Sequence, residues 1–296
     1  MVPAVHTLIA LLVAAQAAAA GVPARTAGQT GPSVSAYQGA GAWVDIYSTR
    51  ALARPEAVVA KLAAERVPTL YLETANHRQR RGVDIVHPGQ TERFIDAAHA
   101  RGIKVIAWYL PSFKDLDSDF RRSMAAIEFE TARGERFDGF ALDIESGEVA
   151  SVERRNARLL ELSRDLRTAV GRNYALGAIV PDDRSTAPSR SLWPRFPYRS
   201  VAQIYDVFLP MAYSTFRVKG PRAVRTYIRD NVTRIRARTG RPRVPVHIIA
   251  GLADGLSPAE AGAVVDGATA ARAWGASFYH FGLSGPEEWA ALKRLR

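Results

Sequence analysis

From about residue 37 onward, short apolar runs alternate with longer amphipathic segments rich in Ala, Leu and Arg. The short runs contain many β-branched and aromatic residues and are almost continuously apolar, as is typical of parallel strands that are covered on both faces. Eight runs are predicted to be strands, and they span residues 41–48, 67–74, 102–111, 137–145, 174–181, 207–214, 244–253 and 275–282.

The segments between these strands carry the signals of helices. The segment 54–66 has Pro near its start, and the segment 91–102 ends in Gly. Apolar residues recur at helical spacing over 148–170, and the segment 257–275 opens with a capping signal. A last helix is predicted over about 285–295.

Strand–helix units that repeat eight times predict a closed (β/α)8 TIM barrel, a single domain over residues 37–296. The alternative is a doubly wound open sheet, which usually carries a Gly-rich phosphate-binding turn after its first strand. Here that place holds YSTRALARPE (47–56), which contains no glycine. The pattern therefore favours the barrel.

The first 36 residues have a different composition. The run Leu8–Ala20 has the length of a secretory apolar region, and Ala18 and Ala20 form an A-x-A cleavage site. We therefore predict a signal peptide over 1–20, with a retained anchor as the alternative because the extreme N-terminus has no Lys or Arg. The segment 21–36, rich in Gly, Ser, Thr, Pro and Ala, predicts a flexible linker. A secreted, extracellular or cell-wall-associated protein is expected, with no transmembrane span in the mature chain.

The chain is strongly basic, with a formal net charge of +11. Five of its 40 basic residues are Lys and the rest are Arg, a skew that often reflects coding bias, so we expect no nucleic-acid partner. The densest basic cluster, over 222–243, predicts the solvated face of an outer helix, or a salt-sensitive attraction to an anionic polymer such as a cell wall. No cysteine is present, which excludes disulfides and Cys-ligated metals.

Acidic and aromatic residues gather at the predicted C-terminal ends of the strands, where the active site of a (β/α)8 barrel lies. Aromatic faces stack on sugar rings, and carboxylates bind hydroxyls and move protons. This composition predicts a carbohydrate site. The candidates for substrate binding are Asp45, Tyr47, Glu73, Tyr109, Met211, Tyr213 and Tyr279, and the catalytic candidates are Asp143 and Glu145.

The spacing of Asp143 and Glu145 has a chemical consequence. Residues two apart on a strand point to the same face, about 6.6 Å apart, so both can face the mouth of the barrel. Apolar walls and a neighbouring like charge would raise the pKa of one carboxyl, which could then act as a general acid. The alternative is a structural carboxylate that caps a helix or pairs with an arginine.

Two motifs resemble those of family-18 glycoside hydrolases, the chitinase-like barrels. DGFALDIE (138–145) resembles their fourth-strand D-G-x-D-x-D-x-E signature, and PMAYS (210–214) resembles their sixth-strand M-x-Y-D element. The resemblance implies that Glu145 protonates the glycosidic oxygen. It also implies that Asp143 orients the substrate's acetamido group, whose carbonyl attacks the anomeric carbon, and that Tyr213 helps to hold that group.

The sequence departs from the family pattern at three places. Ala141 stands for the middle Asp of the signature, and Ser214 stands for the Asp after the Tyr. The strand-8 Trp is absent, with Tyr279 and Phe281 in its place. These departures leave the substrate class open, and they keep a carbohydrate-binding barrel without catalysis as an alternative.

A second, weaker similarity is to family-25 lysozymes, which cut peptidoglycan and would use Asp45 together with Asp143 and Glu145. We found no phosphate loop, nucleophile elbow or metal motif, so we expect no cofactor and no metal. The prediction is a monomeric glycoside hydrolase that cleaves O-glycosidic bonds of a polysaccharide or cell-wall glycan. The alternatives are an inactive carbohydrate-binding barrel and a cell-surface scaffold.

Overall fold

The computed structural model describes residues 33–186 and 192–295. They contain a closed barrel of parallel strands in which each strand pairs with its neighbours in chain order, and β8 pairs with β1. This confirms the predicted single-domain (β/α)8 barrel and excludes the open sheet. The strands are β1 Gly39–Val44, β2 Thr69–Asn76, β3 Lys104–Leu110, β4 Gly139–Asp143, β5 Leu176–Pro181, β6 Val207–Ala212, β7 His247–Ala250 and β8 Gly275–Phe278.

Helices follow the strands on the outside of the barrel. They are α1 Thr49–Leu52, α2 Pro55–Ala64, α3 Pro88–His99, α4 Leu116–Ile127, α5 Val152–Val170, α6 Tyr198–Val201, α7 Pro221–Thr239, α8 Pro258–Ala270 and α9 Pro286–Leu292. In the part of the chain that the structure describes, no helix combines the length and apolarity needed to cross a membrane. The predicted signal peptide (1–20) and residues 21–32 of the predicted linker lie outside the described residues.

Helix α4 has no counterpart among the predicted helices, because its inner face carries polar residues. Arg122 is buried there and donates hydrogen bonds to four backbone carbonyl oxygens of the β2–α3 connection. Those oxygens belong to Asn76, Gln79, Arg80 and Val83, at 2.9–3.1 Å. A buried guanidinium with several carbonyl acceptors is stable in a helix that a search for apolar periodicity overlooks.

Each strand divides its side chains between two layers, as the two-residue period of a strand requires. The outward-facing side chains pack against the helices and form the larger apolar cluster. The inward-facing side chains fill the barrel. This second cluster includes Trp43, Tyr71, Ile106, Trp108, Ala141, Ile179, Leu209 and Ile249.

Tyr37 closes the N-terminal end of the barrel. It is fully buried, and its hydroxyl donates to the carbonyl oxygens of Phe140 (2.9 Å) and Ala175 (3.2 Å). The preceding residues are also held, since the Trp274 indole donates to the Val34 carbonyl oxygen at 3.0 Å. The globular unit therefore starts before residue 37, within the segment that its composition assigned to a linker.

Two glycines make room for the Tyr37 ring. A Cβ at Gly139 would lie 2.9 Å from the Tyr37 hydroxyl, and a Cβ at Gly177 would lie 2.9 Å from a carbon of the same ring. Both distances are shorter than a normal van der Waals contact, so an added methyl group would clash with Tyr37. The large side chain at the floor therefore requires glycine on β4 and β5.

A series of hydrogen-bonded polar side chains crosses the barrel interior above this floor. The Trp43 indole donates to Ser277 Oγ (2.7 Å), and Ser277 Oγ lies 3.0 Å from Nε2 of His247. His247 Nδ1 lies 2.9 Å from the Tyr37 carbonyl oxygen, which only accepts, so Nδ1 carries the proton. Burial lowers the pKa of His247 to about 4, so the imidazole is neutral at physiological pH.

We predict that Gly177→Ala lowers the free energy of unfolding by about 1–3 kcal/mol, because the added methyl overpacks the ring of Tyr37. Gly89→Ala in α3 is the matched control, since nothing lies within 4 Å of its added Cβ. It should change stability by less than about 1 kcal/mol. Urea denaturation measures both, and equal stabilities would contradict the packing argument.

Candidate functional site

Asp143 and Glu145 lie where β4 reaches the mouth of the barrel. Asp143 is the last residue of the strand and is buried, whereas Glu145 is partly exposed. Ile144 between them is fully buried in the layer against the helices. Glu145 lies in the turn that follows the strand, where it lines the cleft at the barrel mouth, and its charge acts on the pKa of Asp143.

The surroundings favour the protonated forms of this pair. Burial raises the pKa of Asp143 well above its usual range, and the charges of Glu145 and Glu73 raise it further. Burial also raises the pKa of Glu145, against a smaller opposing effect of Arg78. Oδ1 of Asp143 is buried and has no hydrogen-bond partner among the described residues. Two carboxyls in such a site do not both ionise readily, so the pair favours a form in which at least one carboxyl is protonated.

Tyr213 follows β6 and lies close enough to Asp143 and Glu145 for their charges to change the pKa of its hydroxyl. Burial raises the pKa of its hydroxyl well above the usual range, and the charges of Asp143 and Glu145 add to the effect. Its ring centroid is 6.1 Å from that of Tyr279 and 6.3 Å from that of Phe216. Tyr213 therefore keeps its proton and can act as a hydrogen-bond donor in the site.

Glu73 on β2 is a third carboxyl group of the mouth. It is 5% exposed, and its oxygens accept hydrogen bonds from the Ile46 amide (3.1 Å) and the Asn76 side chain (3.2 Å). Burial raises its pKa to about 7, these hydrogen bonds oppose the rise, and the charges of Asp45 and Glu145 support it. Glu73 therefore titrates close to neutral pH.

Asp45 fixes the loop that follows β1. Its Oδ1 accepts from the Tyr47 amide (3.0 Å) and the Ser48 hydroxyl (2.9 Å), and its Oδ2 accepts from the Tyr279 hydroxyl (3.0 Å). Tyr47 is 61% exposed at the rim. Asp45 thus fixes the side chain of Tyr279 and the backbone of Tyr47 at the mouth.

Glu145 opens into a cleft of about 130 Å³ between the ends of β4, β5 and β6. Large apolar side chains are exposed here, with Phe216 65% and Leu192 49% accessible. Such surfaces beside a carboxyl group suit the apolar face of a sugar ring. The other walls are Pro181, Asp182, Ser185, Met211, Tyr213 and Arg217.

Tyr109 does not belong to the site, and the prediction that it binds substrate is wrong. Its side chain is fully buried in the layer against the helices, where its hydroxyl donates to Asp119 at 2.6 Å. Strand alternation turns Trp108 inward instead. Trp108 lies edge-on to Trp43 with centroids 5.9 Å apart, and its buried Nε1 has no partner among the described residues.

The other candidates lie together at the C-terminal ends of the strands: Asp45, Tyr47, Glu73, Asp143, Glu145, Met211, Tyr213 and Tyr279. Sequence reasoning missed Phe216 and Arg217, which line the cleft. Asn76 bridges Glu73 and the Tyr47 hydroxyl, the latter at 2.9 Å. Within the described ranges no group of three or more His, Cys, Asp or Glu side chains is arranged to hold a metal ion.

No protein-family model matches this chain, and no curated protein does. Solved structures do. The endo-β-1,4-mannanase from Thermotoga petrophila is 10% identical with a TM-score of 0.63, and the match covers 86% of this chain and 75% of that one. The spore cortex-lytic enzyme SleL from Bacillus cereus is 11% identical with a TM-score of 0.63, covering 86% and 73%.

A chitinase from Chromobacterium violaceum is 14% identical with a TM-score of 0.58, covering 87% of this chain and 98% of its own. At such identities the likeness establishes the fold alone. The molecule is a (β/α)8 barrel of the kind found in glycoside hydrolases, with an acidic mouth.

We predict that Glu73→Gln flattens the pH dependence of stability. The folded-state pKa of about 7 exceeds the usual 4.5, so the stability tied to this proton is fully present below pH 4.5 and is lost as pH rises through 7. The wild type should lose ~3 kcal/mol of unfolding free energy through Glu73 across this range, and the variant should not. Urea denaturation at several pH values measures the difference.

The control is Glu161→Gln, which changes an exposed carboxylate on α5. It should retain the wild-type slope of stability against pH. If Glu73→Gln also retained that slope, Glu73 would not carry the proton.

Proposed function

We propose that this protein is a glycoside hydrolase that cleaves O-glycosidic bonds of a polysaccharide or cell-wall glycan, with Glu145 as the general acid. The observation that carries the proposal is the environment of Glu145. It lines an open cleft beside the buried Asp143, and both carboxyls have a raised pKa. A carboxyl that a ligand can reach, and whose raised pKa favours its protonated form, is what protonation of a glycosidic oxygen requires.

In the proposed reaction Glu145 donates its proton to the glycosidic oxygen while the bond to the anomeric carbon breaks. Positive charge then develops on the sugar, and the carboxylate left on Glu145 stabilises it. Water finally attacks the anomeric carbon and returns a proton to Glu145. A sugar that carries an acetamido group would supply its own carbonyl as the first nucleophile, with Asp143 and Tyr213 as hydrogen-bonding partners of that group.

Aromatic side chains of the mouth form the sugar-binding surface in this proposal. Tyr213 retains its proton because of burial and the nearby acids, so it donates to a ligand oxygen. Phe216 and Tyr47 are both more than half exposed and offer ring faces to sugar units on either side of the acids.

A second candidate function is carbohydrate binding without hydrolysis. The residue below Asp143 on the same face of β4 is Ala141, which is fully buried and has no group to bond a carboxyl. Ser214 is also fully buried, and its hydroxyl has no partner among the described residues. The lack of a carboxylate at both positions removes support that a family-18 site would give to Asp143.

Secretion is part of the proposal and rests on residues 1–20. Cells that express the whole chain should release a protein whose N-terminus begins at Gly21. N-terminal sequencing of protein recovered from the medium checks this, and a chain that still begins at Met1 would contradict it.

We predict that Glu145→Gln lowers kcat/KM by at least about 100-fold on a glycan that the wild type cuts, because the amide cannot give up a proton to the leaving oxygen. Binding of the glycan and the unfolding free energy should change little. A panel of chitin oligosaccharides, β-mannan and peptidoglycan provides the substrates, and product release provides the rate.

Glu148→Gln is the matched control, since Glu148 is exposed three residues away and pairs with Lys114 at 2.6 Å. It should keep the wild-type rate. A wild-type protein that binds some of these glycans and cuts none would favour the binding function. A Glu145→Gln protein that unfolds would show a structural carboxyl instead.

The rate should also depend on the third carboxyl group. Glu145 must be protonated to act, so activity is expected to fall as pH rises through its raised pKa. The charges of Glu73 and Glu145 disfavour one another. Glu73→Gln should therefore move the alkaline side of the kcat/KM profile to lower pH. An unchanged profile would mean that the two carboxyls titrate independently.

A further inference from the structure

A groove of about 520 Å³ lies at the rim of the barrel, beside the cleft of Glu145. It runs between the 3-10 turn Asp183–Thr186, which follows β5, and α7 from Pro221 to Arg234. Both elements begin after strands, so the groove begins on the side of the barrel where the mouth lies and continues along α7. We call it the basic groove, and the side chains that define it are Asp183, Arg184, Lys219, Arg222, Tyr227 and Arg234.

The two acids of the groove are already neutralised. Asp183 is ion-paired with Arg234 and Arg238, each at 2.8 Å. Asp230, which also borders the groove, is paired with Arg229 at 2.8 Å. The carboxylates of the groove therefore contribute little net negative charge to a ligand.

Three cations of the groove are not neutralised in this way. Arg184, Lys219 and Arg222 are exposed and form no ion pair with any residue that the structure describes. The charge of Glu260 interacts with that of Lys219, but the Glu260 oxygens accept hydrogen bonds from Ser257 and the Gly220 amide. The groove thus presents an excess of positive charge on one side of the mouth.

The groove and the cleft share a wall. Asp182 lines the cleft with Glu145, and the next residue, Asp183, lines the groove. The buried Asp182 accepts a hydrogen bond from the Tyr227 hydroxyl (2.6 Å) on the groove side, and Arg217 on the cleft side lies 3.3 Å from its other oxygen. The cleft and the groove are therefore neighbouring depressions on either side of Asp182 and Asp183.

Arg184 is held in place in the groove. Its guanidinium carbon lies 5.2 Å from the centroid of the Tyr227 ring, a cation–π contact, and the hydrogen bond to Asp182 fixes that ring. A stacked guanidinium loses little freedom on binding and offers two parallel N–H groups, which match the two oxygens of a carboxylate.

We propose that the basic groove binds carboxylate-bearing sugar units of the polysaccharide whose neighbouring bond is cleaved at Glu145. The inference rests on the proposed hydrolase function and assigns its substrate class, an acidic polysaccharide. Arg184, Lys219 and Arg222 bind the carboxylates, and the apolar side chains of the cleft contact the sugar rings.

The test measures binding to the Glu145→Gln protein, so that the polymer stays intact. The probes are polygalacturonate and fully methyl-esterified polygalacturonate, which share one backbone and differ in charge, together with hyaluronan as a second carboxylated polymer. Affinity electrophoresis at low and high salt gives the dissociation constants. We expect at least one carboxylated polymer to bind about tenfold or more tightly than the ester, with a preference that shrinks in high salt.

The double variant Lys219→Gln/Arg222→Gln should weaken this binding about five- to twentyfold, the scale of two exposed charge contacts. Arg101→Gln/Arg243→Gln is the control, since both arginines are exposed at the opposite end of the barrel, before β3 and β7, and net charge changes equally. The control should stay within about twofold of the parent, which is the scale of a surface change away from the site.

Three results would overturn the proposal: an equal loss in both double variants, the lack of any preference for a carboxylated polymer, or binding of poly(glycerol phosphate) in place of both carboxylated polymers. Its failure is distinguishable from failure of the hydrolase function. A protein that binds acidic polymers through the groove but cuts no glycan contradicts hydrolysis alone. A protein that cuts neutral glycans without any effect of the groove variants contradicts the groove alone.

Discussion

The constraint on which the other features depend is the two-residue alternation of eight strands closed into a ring. Every inward position faces the same small volume, so a large side chain on one strand requires a small one elsewhere. At the floor Tyr37 fills the space that Gly139 and Gly177 leave open. At the mouth β4 ends at Asp143, Ile144 is held in the outer layer, and the turn after the strand places Glu145 in the cleft. Strand alternation thus sets the packing at the floor and the inward direction of Asp143 at the mouth.

The same rule explains how far the sequence could predict this molecule. Continuous apolar runs were enough for eight strands and their order, because a parallel barrel buries both faces of each strand. The pairing of Trp108 with Ala141 shows that Trp108 shares the inward parity of Asp143, which excludes its neighbour Tyr109. This register belongs to the folded sheet, so the sequence alone did not decide which of Trp108 and Tyr109 faces inward. Phe216 and Arg217 lie in a turn after β6, and no periodicity governs such a turn, so only the folded chain reveals their place beside Glu145.

The acids of the mouth are maintained against a cost in stability. Burial raises the pKa of Glu73, Asp143 and Glu145, which means that folding disfavours their charged forms. Glu73 recovers part of this through hydrogen bonds from Ile46 and Asn76, whereas one oxygen of Asp143 recovers nothing within the described residues. Desolvated carboxyl groups that gather at one end of a well-packed barrel are typical of a functional site.

The buried Arg122 of α4 gives the arginine excess a second explanation. One guanidinium, planar and with five N–H donors, joins four carbonyl oxygens of a connection that has no regular structure of its own. An ammonium group has three donors on a single nitrogen and cannot span those acceptors. A lysine at position 122 would leave most of these carbonyl oxygens without a donor, so at this position the fold itself requires arginine.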